Sequence, residues 1–166
     1  NGARFISTIS PWQPRTVAAV AFWTSEREER TMSVSEQREG LVTVEDGVEL
    51  SFTVRGDGPQ TVVVPNGMYW LADMAPLTRG RTLIVYDLRN RGRSSTVVDP
   101  AKLARGVLNE VDDLEPLRRH FGLEKLTLVA HSYVGLVVAL YAMRHPQAVA
   151  RFVQVGPSEP FAGKQY

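Results

Sequence analysis

Ser132 is the residue whose type and setting could do chemistry. It stands in Ala130-His131-Ser132-Tyr133-Val134-Gly135, after the apolar run Leu126-Thr127-Leu128-Val129 and before Leu136 to Met143, which ends at Arg144-His145-Pro146. The first run reads as a buried strand, because a parallel strand covered on both faces shows no alternation. The second reads as a buried helix that stops before the proline. A turn between two such elements holds a hydroxyl out at the carboxyl edge of a sheet, close to backbone N–H groups at a helix start. That setting favours nucleophilic attack on a carbonyl and stabilisation of the resulting oxyanion. A serine between strand and helix is also an ordinary N-cap, so the rest of the chain must decide between the two.

The elements that would position Ser132 follow from the chain in order. Leu41-Val42-Thr43-Val44 and Val48 to Val54 are strand-like, and Asp46-Gly47 between them is a hairpin turn signal. Arg55-Gly56-Asp57-Gly58-Pro59 is a turn cluster, followed by two short buried-type strands, Thr61 to Pro65 and Thr82 to Asp87. A helix is expected from Asn109 to Phe121, with Val111, Leu114 and Phe121 on one face and Pro116 either starting a turn or kinking it. The Leu126 strand, its helix and a further strand, Arg151 to Val155, complete the pattern. A hairpin followed by strands alternating with helices predicts an α/β fold: a mainly parallel sheet with an antiparallel amino-terminal hairpin and helices on both faces.

Composition excludes several alternatives. At 166 residues, 43% hydrophobic and 22% charged, the chain has one domain's worth of core-forming sequence. A net charge of +1 without runs of like charge gives no reason to expect nucleic acid. The absence of cysteine rules out disulfides, zinc thiolates and a cysteine nucleophile, and the three histidines lack metal-ligand spacing. No metal, no cofactor and no membrane partner is expected, and oligomeric state is left open. Asn1 to Arg38 differs from the remainder. It carries Pro11, Pro14, a brief apolar patch from Val17 to Trp23 and the charged Ser25 to Arg30. The patch is short for a signal peptide and lacks a small-residue cleavage site. The expectation is a poorly ordered leader or upstream read-through, with Met32 as the true start, residues 39–166 as the folded part, and a cytoplasmic protein.

The loops at the carboxyl ends of the strands supply a resemblance. Ala130-His131-Ser132-Tyr133-Val134, with Gly135 one place later, resembles the Gly-x-Ser-x-Gly nucleophile elbow of the α/β-hydrolase family. Ala130 and Val134 depart from it, and the β-branched Val134 must fit where the family usually has no side chain. Pro65-Asn66-Gly67-Met68-Tyr69-Trp70 stands where the family reads His-Gly-x, with Asn66 replacing the histidine; an Asn-Gly turn alone is the plainer reading. Asp87-Leu88-Arg89-Asn90-Arg91-Gly92-Arg93-Ser94 is similar to the family's Asp-x-Arg-Gly-x-Gly-x-Ser loop. The resemblance covers Gly40 to Pro157, the amino-terminal part of the fold. It implies Ser132 as nucleophile, the Met68 and Tyr133 N–H groups as oxyanion donors, and Asn66, Gly67, Asp87, Arg89, His131 and Gly135 in support. The implied activity is hydrolysis of an ester, amide or related carbonyl of a small-molecule substrate through an acyl-enzyme, in the manner of aminopeptidase- and esterase-like members, without cofactor.

A base and an acid are then needed. His131 is adjacent to Ser132, and neighbouring side chains on an extended strand end point to opposite faces. His145 lies along the following helix, about 20 Å away at about 1.5 Å per residue. His120 precedes the Leu126 strand and is expected near the opposite sheet edge, on the order of 15–20 Å away. No histidine is therefore placed to serve, and the expectation is a hydrolase whose base follows in a longer chain. Glu159 stands where some members carry their acid, although a surface-loop glutamate is the simpler reading. A non-catalytic, receptor-like binding protein on the same fold is the alternative function. The Gly-x-Gly-x-x-Gly spacing of a dinucleotide site is missing from the loop after the first parallel strand.

Overall fold

The computed structural model describes residues 37–157. Residues 1–36 and 158–166, and with them most of the expected leader and Glu159, lie outside the described residues. Six strands form one sheet: β1 (Arg38–Thr43), β2 (Glu49–Arg55), β3 (Gln60–Pro65), β4 (Arg81–Tyr86), β5 (Leu126–His131) and β6 (Val149–Val155), in the order β1-β2-β4-β3-β5-β6. β1 pairs antiparallel with β2, and β2 antiparallel with β4. The β4–β3, β3–β5 and β5–β6 pairs are parallel. The helices are α1 (Leu71–Met74), α2 (Pro100–Leu103), α3 (Val107–Asp112), α4 (Leu114–His120) and α5 (Val134–Arg144), with 3-10 turns at Gly67–Trp70, Ala75–Thr78 and Pro146–Ala148.

Local chemistry sets the first hairpin. Gly47 takes φ 80°, its N–H donates to Val44 O at 2.9 Å, and the Val44 N–H donates to Val48 O at 2.8 Å. The left-handed backbone is open to glycine without steric penalty. Side-chain alternation then divides the core between the two faces of the sheet. Val63, Ile84, Tyr86, Leu128 and Ala130 pack with α3, α4 and α5 residues such as Val111, Leu114, Val137 and Val138. Val62, Val64, Leu83 and Val85 form a smaller cluster with Met68, Leu71, Met74 and Leu77. Both faces of the inner strands are covered, which is why their sequences read as continuous apolar runs.

The helix expected from Asn109 to Phe121 is two helices, α3 and α4, divided at Asp113. Asp113 is 2% exposed and receives both Nε and Nη2 of Arg89, at 2.9 and 2.5 Å. Of the two expected outcomes at Pro116, the start of a turn is the one observed. Pro116 is the third residue of α4, inside the first turn, where its missing N–H has no carbonyl to serve.

Candidate functional site

Three loops meet at the carboxyl ends of β3, β4 and β5, and each is bent by a left-handed residue. Asn66, Asn90 and Ser132 are the non-glycine residues with positive φ among the described residues, at 54°, 60° and 54°. Asparagine tolerates this region because its short polar side chain can bond locally, whereas serine does so at a cost of about 1–3 kcal/mol. The strain at Ser132 is held from both sides. Its N–H donates to Val155 O of β6 at 3.0 Å, and its carbonyl accepts from the Gly135 N–H at 2.9 Å. The chain therefore leaves β5 at His131 and enters α5 at Val134 through one tight bend.

Gly135 permits close approach of α5 to β6. A β-carbon there would lie 3.0 Å from Gln154 Nε2, which donates to the Gly135 carbonyl at 2.7 Å. The glycine requirement thus falls one residue later than in the motif, and Val134, 6% exposed, joins the main core. Before β5, Gly67 plays a comparable part. Its β-carbon would meet Val64 Cγ1 at 2.7 Å and Val85 Cγ1 at 2.8 Å, so the loop after β3 lies flat on the sheet. The Asn66 N–H donates to Tyr86 O at 2.8 Å. Its Oδ1 is buried without a hydrogen-bond partner among the described residues.

These loops enclose a cleft of about 210 Å³ whose walls include Asn66, Ser132, Tyr133, His131, Trp70 and Arg91, with apolar surface from Val64, Met74 and Val129. His131 and Ser132 both lie at the cleft. The left-handed bend ends the extended backbone after His131, so alternation does not carry across. The His131 ring lies 4.5 Å from that of Trp70, between centroids. His120 packs on Phe52 and Phe121, and His145 on Tyr141; neither lines the cleft.

The remaining expected residues lie around the cleft rather than in it. Met68 is the second residue of the 3-10 turn that starts after Asn66, and its sulfur accepts from Thr53 Oγ1 at 3.8 Å. In a turn bonded from each residue to the third along, the first N–H to find a carbonyl of the turn is that of Tyr69. Asp87, 1% exposed, closes its own loop: Oδ2 accepts from the Arg93 N–H at 2.9 Å, and its carbonyl accepts from Ser94 Oγ at 2.7 Å. Arg89 is turned away from the cleft into Asp113 and Asp46. Burial opposes its charge, but the two carboxylates outweigh burial and hold its pKa above the ordinary value. At Asp113 burial wins over Arg89, and the carboxyl lies above its ordinary range.

Several cleft residues were not singled out from the sequence. Trp70 and Met74 carry no local signal beyond hydrophobicity. Arg91 was visible as one of three loop arginines, but not its direction. The Tyr133 hydroxyl donates to Glu110 Oε2 of α3 at 2.9 Å, a contact across 23 positions that no motif announces. Burial raises the Glu110 carboxyl above its usual range, against lowering by the Tyr133 hydrogen bond and the Arg91 charge. Among the described residues no cluster of His, Asp and Glu is arranged to hold a metal ion, and no helix is long and apolar enough to cross a membrane.

Known proteins share this scaffold. The (lyso)-N-acylphosphatidylethanolamine lipase of Bos taurus is 30% identical over 88 residues, which cover 53% of this chain and 26% of the lipase. The 1-acylglycerol-3-phosphate O-acyltransferase ABHD5 of Sus scrofa is 30% identical over 89 residues, 53% of this chain and 25% of that protein. The chain thus spans about a quarter of the length of these relatives. The crystal structure of a proline iminopeptidase-related protein from Thermus thermophilus superposes with a TM-score of 0.65 at 23% identity, covering 74% of this chain and 45% of that one, a likeness of fold. Residues 62–165 match the family model of the alpha/beta hydrolase fold, so that the strained bend and the two loops before it sit on a known scaffold, and this chain belongs to the α/β-hydrolase fold family.

Proposed function

We propose that this chain carries the nucleophile-bearing part of a serine hydrolase that cleaves an ester, amide or related carbonyl. The observation that carries the reading is Ser132 itself, a non-glycine residue at φ 54° on the single bend between β5 and α5, at the wall of a cleft. Ser132 Oγ attacks the carbonyl carbon and gives up its proton to a base, leaving a tetrahedral oxyanion for which the family resemblance assigns the Tyr133 and Met68 N–H groups as donors. Collapse breaks the bond to the leaving group, which takes up the proton, and an acyl-serine remains. Water, deprotonated by the same base, then releases the acid and restores the hydroxyl. The relatives named as a lipase and an O-acyltransferase support acyl transfer as the chemistry. His120 and His145 pack on aromatic rings away from the cleft, so neither is the base for Ser132.

A fluorophosphonate probe applied to the gene product that carries this chain tests the reading. Wild type is expected to be labelled on Ser132, and Ser132→Ala to lose both the label and about 10⁴-fold or more of any esterase turnover. Equal labelling of the two proteins, or an unlabelled wild type that binds small molecules, would refute catalysis and support a receptor-like role.

A further inference from the structure

The loop after β4 holds three arginines within five residues, Arg89, Arg91 and Arg93, and the fold treats them differently. Arg89 is buried and forked onto Asp113, with Asp46 as its second partner. Arg93 reaches Glu39 Oε2 at 2.8 Å and Thr53 Oγ1 at 3.2 Å. Arg91 has neither an ion pair nor a side-chain hydrogen bond among the described residues, and it lines the cleft beside Ser132. The Glu110 carboxylate, which feels the Arg91 charge, forms no ion pair with it and accepts from the Tyr133 hydroxyl.

The backbone that presents Arg91 is fixed. Its neighbours Asn90 and Gly92 are both left-handed, at φ 60° and 50°. The Arg91 N–H donates to Leu88 O at 3.0 Å, and its carbonyl accepts from the Ser94 N–H at 3.0 Å. Asn90 Oδ1 accepts from the Val97 N–H at 2.6 Å, and Gly92 lies so close against Asp87 that a β-carbon would sit 2.2 Å from Oδ2. An exposed arginine on a hydrogen-bonded backbone, without a protein carboxylate of its own, at the wall of a cleft with apolar surface, is a recognition group for a planar or tetrahedral oxyanion.

We propose that Arg91 is a specificity-determining residue, and that the substrate of this site joins an apolar acyl portion to an anionic group, carboxylate or phosphate, which Arg91 binds. This rests on Ser132 being the nucleophile. Apolar surface from Val64, Met74 and Val129 takes the hydrocarbon, Ser132 faces the carbonyl, and Arg91 holds the charge.

Three esters of equal acyl length test this on the gene product that carries the chain: 4-nitrophenyl hexanoate, mono-4-nitrophenyl adipate and 4-nitrophenyl 6-phosphonooxyhexanoate. Wild type is expected to prefer a charged ester over the neutral one in kcat/KM, and the carboxylate and phosphate arms tell the two anions apart. Arg91→Ala is expected to lower the charged-to-neutral ratio about tenfold or more, the scale of one charge-assisted hydrogen bond. Arg91→Lys should restore part of it, since an ammonium keeps the charge without the fork. Arg119→Ala, on α4, controls for net charge. A ratio equal in wild type and Arg91→Ala overturns the proposal while leaving the hydrolase reading standing. Binding of adipate, 6-phosphonooxyhexanoate and neutral hexanamide to Ser132→Ala, followed by calorimetry, separates the two readings. Preference for an anion that disappears when Arg91→Ala is added supports Arg91 even if no ester turns over, and absence of preference overturns it.

Discussion

Replacing Arg89 by methionine isolates the most concentrated electrostatic commitment in the fold. Arg89 is 7% exposed and Asp113 is 2% exposed, joined by hydrogen bonds of 2.9 and 2.5 Å, while Asp46 holds the other side of the guanidinium at 2.9 Å. Methionine fills most of the space but leaves Asp113 buried without a counter-charge, a loss of about 3–5 kcal/mol. For a folded unit of this size that corresponds to a fall of about 10–20 °C in Tm, followed by circular dichroism. The pH dependence has a definite sign. The Asp113 carboxyl already lies above its ordinary range through burial, and losing Arg89 raises it further. A carboxyl whose pKa is higher folded than unfolded penalises folding fully above the folded pKa, and the penalty fades as pH falls through that value. The gap between wild type and Arg89→Met should therefore narrow between pH 7 and pH 4. Adding Asp113→Leu should recover most of the loss, because an apolar pair of similar volume replaces a buried ion pair at little cost. A deficit below about 1 kcal/mol at pH 7, or a double variant as unstable as the single one, would show that the uncompensated carboxylate is not what Arg89 prevents.

Other perturbations give equally definite outcomes. Gly67→Ala places a β-carbon 2.7 Å from Val64 Cγ1 and 2.8 Å from Val85 Cγ1, and should cost about 1–3 kcal/mol in chemical denaturation. Gly135→Ala meets the movable end of Gln154 at 3.0 Å and should cost less than Gly67→Ala. Arg118, together with the Tyr141 hydroxyl at 2.7 Å, holds the Glu115 carboxyl down from 4.5 to about 2 against burial. Its contribution, under about 1 kcal/mol after solvent screening, is present above pH 4.5 and lost as pH falls towards 2, so acid titration of Glu115→Gln should lack that step. On β6, Phe152, Val153 and Val155 are 43–52% exposed and β6 is an edge strand among the described residues. Val153→Lys should raise the protein concentration at which light scattering detects aggregates.

What could be read from the sequence was what neighbouring residues decide. Asp46-Gly47 announced the hairpin because the conformation of the three-residue loop Glu45-Asp46-Gly47 depends on its own residues, with Gly47 at positive φ. The bend at Ser132 showed as a change from a strand-length apolar run to a helix-length one, and the family was legible because three motifs occur in order after successive strands. The break between α3 and α4 was not legible, since it falls at Asp113, which is committed to an arginine 24 positions earlier. Strand alternation is a guide only while the backbone is extended, and Ser132 ends the extension after His131. The Glu110 contact of Tyr133 and the lack of an ion pair at Arg91 are tertiary facts, fixed by which partners other segments had already taken.

β6 contributes no residue to the cleft, yet it is the hook from which the strained bend hangs. Val155 O receives the Ser132 N–H, and Gln154 reaches the carbonyl of Gly135. A chain cut just before Gln154 would retain every loop around the cleft and still let that bend go slack. Boundaries chosen from motifs alone would stop too early.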